Sequence, residues 1–176
     1  MISIMSDWQH IFDDAPLRVL DQGAVLFRRG DRVRSMYLVR SGAVALERRM
    51  EDGTALTLHI ATEGNALAEA SLFAETYHCE AVVHSPARIA TMPRANFLSA
   101  LREHPSAALS LIEIHAREVQ AQRARIGILR LRRVSDRLDA WLDLYGAPQK
   151  GEWIGVADQI GVSPPALYRE LARRRV

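Results

Sequence analysis

Four consecutive residues, Tyr77-His78-Cys79-Glu80, carry the densest reactive chemistry in the chain. An imidazole beside a thiol suits a soft metal, haem iron or thiol-based redox sensing. His78 and Cys79 are the candidate ligands, with His59 and His84 as further candidates. Neighbours on an extended strand point to opposite faces, so His78 and Cys79 can share one metal only at a turn. The plainer alternative is a buried cysteine packed as a small hydrophobe beside a surface histidine. Glu69, His78 and Cys79 form no legible nucleophile–base–orienter trio, so the chain is not read as an enzyme.

The second chemistry is cationic. Of 23 Lys and Arg residues only Lys150 is a lysine, and the formal net charge is +2. Arginine is concentrated late in the chain, at 117, 123, 125, 130, 132, 133 and 137 and again at 169, 173, 174 and 175. That layout suggests a polyanion partner for the last third; the other reading is a solvated helix face.

The background that must position these groups is an ordinary folded one. A hydrophobic share of 48% against 25% charged residues argues against disorder. No run approaches the roughly 18 apolar residues of a membrane span, so no membrane partner is expected. The opening MISIMSDWQHIFDD lacks a basic stretch followed by an apolar one, so no signal peptide is expected. A single cysteine, Cys79, excludes an internal disulfide and fits a cytoplasmic location.

Along the chain, residues 7–20 read as a short helical segment. Short β-rich runs follow at 24–27, 35–39, 43–46, 56–60, 79–83 and 87–92, split by turn signals such as Arg29-Gly30-Asp31, Ser41-Gly42 and Glu51-Asp52-Gly53. Strands at that spacing predict a sandwich or barrel. The pattern then turns helical: 94–103, a long helix from Pro105, 134–145, 153–162 and 163–174. On the long helix Leu109, Ile112, Ala116, Val119, Arg123, Ile126 and Arg130 alternate spacings of three and four, a heptad-like seam that can pack on a partner. The other reading is a long core helix of a monomer.

The stretch from Val156 to Leu171 has helix-turn-helix spacing. Ala157 is small where two helices cross, Gly161 permits a sharp turn, and Val162 plugs the angle. Ser163 is placed as an N-cap, with proline tolerated just after it. Leu167 and Leu171 face inward, which leaves Ser163, Ala166, Arg169, Glu170 and Arg173 as the candidate double-stranded DNA contacts.

On these residues the chain resembles the CRP/FNR family, the cyclic-AMP receptor protein and its relatives. The resemblance runs over about residues 10–175, through Gly23-Ala24-Val25-Leu26-Phe27 with Gly30-Asp31, Met36-Tyr37-Leu38-Val39 with Gly42, Ala68-Glu69-Ala70-Ser71-Leu72-Phe73, the long helix and the C-terminal motif. It implies an α+β architecture. Residues 1–104 would form a cyclic-nucleotide-binding-type β-barrel (a double-stranded β-helix or jelly roll), 105–133 the dimerisation helix, and 134–176 the DNA-binding end. It further implies a homodimer on a two-fold symmetric operator and a contact with RNA polymerase.

The departures are as informative. Cyclic-AMP-binding members have a Gly-Glu pair and, ten residues after the Glu, an Arg followed by Ser or Thr; here stand Ala68-Glu69 and Cys79-Glu80. Gln122 and Arg123 replace the Thr and Ser that meet adenine. Cyclic AMP is therefore disfavoured, and Arg123 leaves another anionic ligand open. The expected pocket is Ala68, Glu69, Cys79, Glu80, Gln122 and Arg123, with the cofactor unknown and haem or a soft metal at His78 and Cys79 the options. Relatives continue past the recognition helix into a β-hairpin wing, whereas this sequence stops at Val176, which reads either as a truncated DNA-binding domain or as a sequence whose remainder lies beyond Val176. The expected function is a transcription regulator gated by a small-molecule, metal or redox signal. The alternative is a ligand-binding or protein-interaction module with a vestigial DNA-binding end.

Overall fold

The computed structural model describes residues 7–174, so the expectations placed on Arg175 lie outside the described residues. The chain divides into two compact units, Met1–Ile112 and Glu113–Val176, and the division falls inside the long helix rather than at its start.

The first unit is a jelly-roll-like sheet of six strands: β1 (Leu17–Leu20), β2 (Val25–Phe27), β3 (Ser35–Arg49), β4 (Ala55–Thr62), β5 (Ala66–Leu67) and β6 (Glu80–Pro93). The order is β1-β6-β3-β4, all antiparallel, with β2 on β6 and β5 on β3. Met36, Leu38, Val39, Val44, Val83 and Ile89 of the two central strands are fully buried, as long strands between neighbours require. A helix, α1 (Arg94–Glu103), follows β6, and its Phe97 packs at 5.5 Å on Phe12.

Three expectations fail here. Residues 7–20 are not one helix: Asp7–Phe12 is a short 3-10 turn, and β1 pairs Leu17 with Ala90 and Leu20 with Ala87. The runs 35–39 and 43–46 are one strand, and so are 80–83 and 87–92, with Cys79 in the bend just before it. Ser41-Gly42 is a bulge inside β3, not a turn. Gly42 sits at φ +82, where an added Cβ would lie 2.2 Å from the Pro86 carbonyl oxygen, so only glycine lets the two backbones approach.

α2 (Pro105–Arg130) runs from the first unit into the second. There it is followed by α3 (Val134–Tyr145), α4 (Trp153–Gln159) and α5 (Pro164–Arg173). Ile128, Leu138, Trp141, Val156, Ala157, Ile160 and Leu167 form the core of that unit, with Val162 and Leu171 packed against it. Leu138 and Trp141 come from one face of α3 at i, i+3 spacing. Gly146, at φ +78, ends that helix with its N–H on the Leu142 carbonyl.

Candidate nucleic-acid interface and effector pocket

The α4–α5 corner is built from backbone outward. Val162 N–H donates to the Ala157 carbonyl at 2.9 Å, and Gly161 N–H to that of Asp158 at 3.0 Å. Gly161 takes φ +65, and a Cβ there would stand 2.6 Å from Leu129 Cδ2. Ala157, Ile160 and Leu167 are completely covered. Arg137 locks the corner: its Nε donates to the Leu131 carbonyl (2.8 Å), Nη1 to those of Ile160 (3.1 Å) and Gly161 (3.3 Å), and Nη2 to that of Leu129 (3.2 Å). A planar fork of donors suits four carbonyls converging from two chain ends. Arg137 therefore is not a free cation for a polyanion, contrary to its place in the basic layout. Arg117 and Arg125 are likewise paired, with Glu113 and Asp158.

On α5, Ser163 occupies the cap position and is exposed, but its hydroxyl makes no cap hydrogen bond; its carbonyl accepts from Ala166 and Leu167 instead. Arg169 and Arg173 are exposed, and Ala166 is half-buried. Glu170 departs from expectation. Its side chain is only 13% exposed, accepting from Arg174 Nε at 3.1 Å with Arg173 Nη1 at 3.6 Å. Arg174 in turn holds Asp139 at 2.6 Å and the Ser135 carbonyl at 3.0 Å, tying α5 to α3. Asp139 and Glu170 together raise the pKa of Arg174, Asp139 foremost. The Glu170–Arg174 pair is an i, i+4 match that the sequence does display. Sequence reasoning also passed over Tyr168, a half-exposed ring on the open face of α5.

The seam of α2 is open. Leu109 (66%), Ile112 (62%), Val119 (47%) and Ile126 (50%) are large apolar side chains left exposed, with Ala116 and Arg123 exposed on the same stripe. A row of that kind at heptad spacing is an unpartnered helix face.

In the first unit Ala68 is buried at φ +73, the left-handed conformation that suits glycine, and Glu69 follows it in a short 3-10 turn to Ser71. Cys79 is 2% exposed. Burial raises its thiol pKa, and the negative charges of Glu69 and Glu80 push it further the same way. Glu80 is mostly covered and ion-paired with Arg49 at 2.7 Å. Gln122 and Arg123 are exposed on α2 in the second unit.

The structure does not bring the candidate metal ligands together. His78 is at the surface with Nδ1 hydrogen-bonded to Ser71 Oγ at 3.1 Å, while Cys79 is inside. His59 and His84 are exposed, and no three His, Cys, Asp or Glu among the described residues converge on a metal-sized site. Burial of the Cys79 thiol, which pushes its pKa up, works against haem ligation and redox sensing there. A cyclic nucleotide fits no better. Where the phosphate grip would stand, Cys79 supplies no cation, and the negative charges of Glu69 and Glu80 beside it oppose a phosphate. Arg49, the cation beside Glu80, is already paired.

The cyclic nucleotide-binding domain family matches residues 17–104. The Global nitrogen regulator of Synechocystis sp. is 24% identical over 169 residues, covering 91% of this chain and 73% of its own. The crystal structure of the Thermus thermophilus Catabolite Activator Protein is similar at 22% identity, over 98% of this chain and 84% of that one, with a TM-score of 0.57. A structure of CprK complexed with OCPA is similar at 14% identity, over 97% and 83%, with a TM-score of 0.71. With half of its length matched, the chain belongs to the cyclic nucleotide-binding domain family. The relatives named are regulators rather than enzymes. No helix among the described residues is long and apolar enough to cross a membrane.

Proposed function

We propose that this chain is a homodimeric, DNA-binding transcription regulator whose barrel responds to a small-molecule signal other than cyclic AMP. The observation that carries the reading is the corner of α4 and α5. A covered core of Ala157, Ile160 and Leu167, clamped by Arg137, leaves Arg169 and Arg173 on the open side of α5. A helix so presented suits the major groove. The open α2 seam supports pairing with a second copy, which would offer two α5 helices to a two-fold symmetric operator. Effector binding is assigned to Ala68, Glu69, Cys79 and Glu80, and it would act by shifting the dimer between states of unequal DNA affinity. RNA polymerase is the further protein partner and the cytoplasm the compartment that this reading carries.

The test is binding of the full chain to a palindromic promoter duplex, followed by fluorescence anisotropy between about 50 and 200 mM salt. Affinity should fall steeply with salt and weaken in Arg169→Ala. No binding at the lowest salt would favour the second reading, a ligand-binding or interaction module with a vestigial DNA-binding end. The internal pairing of Glu170 is the observation on that side.

A further inference from the structure

We infer that α5 reads its half-site mainly through apolar contact with thymine methyl groups, flanked by a guanine contact from Arg169; this rests on the DNA-binding reading above. The first turn is Ser163-Pro164-Pro165-Ala166. Neither proline has an N–H, and the N–H groups of Ala166 and Leu167 are both spent on the Ser163 carbonyl, at 2.9 and 3.1 Å. This helix start therefore offers a phosphate fewer backbone donors than most helix N-termini do. Pro164 and Pro165 are exposed and Ala166 half-exposed. None of the three can donate to or accept from a base edge. The free hydroxyl of Ser163 can bond any base, so it does not discriminate.

An apolar surface pressed into a major groove meets one apolar feature there, the C5-methyl of thymine. The rest of the open face extends the same chemistry. Tyr168 lies four residues after Pro164, and Arg169 four after Pro165, so each continues a row on the helix surface. Tyr168 is 49% exposed, and the face of its ring adds a second apolar plate. Arg169 is the donor fork that matches guanine O6 and N7. Glu170, the carboxylate that would accept from cytosine N4, is turned to Arg174 and Arg173. The half-site that fits has thymine under the Pro-Pro-Ala turn and guanine beneath Arg169.

Burying one methyl changes affinity about fourfold, and one methyl in each half-site about sixteenfold for a symmetric dimer. The experiment selects duplexes from a random pool with the full chain at low salt. It then replaces thymine by deoxyuridine, one symmetric position at a time, which deletes only the methyl. The expected result is an enriched site with thymine next to guanine, and a loss of about tenfold or more at one symmetric thymine pair. Enriched duplexes that bind equally well with deoxyuridine at every thymine would overturn the inference and leave the regulator reading standing. A pool in which no duplex binds at all would overturn both.

Discussion

Arg137→Ala should cost the second unit about 3 kcal/mol of stability without touching any exposed residue of α5. Four backbone carbonyls, from Leu129, Leu131, Ile160 and Gly161, depend on this one guanidinium. Two of the four bonds are part-buried, to Leu131 and Ile160. Charge-assisted bonds of that kind are each worth about 1.5 kcal/mol or more. The two exposed bonds can be replaced by water and add little. Arg137→Lys keeps the charge but cannot span the carbonyls of both chain ends, so about half of the loss should remain. Urea unfolding followed by fluorescence reads this out, since Trp141 and Trp153 lie in or against the unit's core. A loss below about 0.5 kcal/mol for the alanine variant, or full rescue by lysine, would refute the clamp.

Three further outcomes are expected. Ala68→Gly should stabilise the barrel by about 1 kcal/mol, because it removes the left-handed strain at φ +73; an unchanged or lower melting temperature would contradict this. Cys79 has a folded pKa raised above its unfolded value, so its contribution to stability is complete below the unfolded value and lost as pH climbs towards the folded one. Urea midpoints should therefore decline above about pH 8.5, with a shallower decline in Cys79→Ala. Val119→Glu places a charge on the open seam of α2 and should give a folded monomer by sedimentation equilibrium, whereas a persistent dimer would move the interface elsewhere.

What the sequence displayed and what it hid divide along range. The helices were legible because apolar period and terminal signals are local: Leu138 and Trp141 share a face, and Gly146 stops the helix. The corner at Gly161 was legible for the same reason. β1 was missed because its partner, residues 87–90 of β6, lies some seventy residues away, and four residues alone do not distinguish a strand from a helix turn. Ser41-Gly42 looked like a turn because glycine marks both turns and bulges, and only the approach of Pro86 decides between them. At the sites, the position of Arg169 could be read from spacing. The fates of other charges could not, because Arg49 reaches Glu80 across the sheet and Arg137 binds carbonyls that have no sequence signature. For His78 and Cys79 the sequence left two readings open, because adjacency says nothing about convergence; the fold exposes the histidine and buries the cysteine, as the plainer reading has it.

Hydroxyl-radical footprinting of the selected duplex by the full chain addresses the assignment most directly. Two symmetric protected patches are expected, with centres about one helical turn, roughly 34–36 Å, apart, and both should weaken in Arg169→Ala. A single asymmetric patch, or protection that survives Arg169→Ala unchanged, would contradict that assignment.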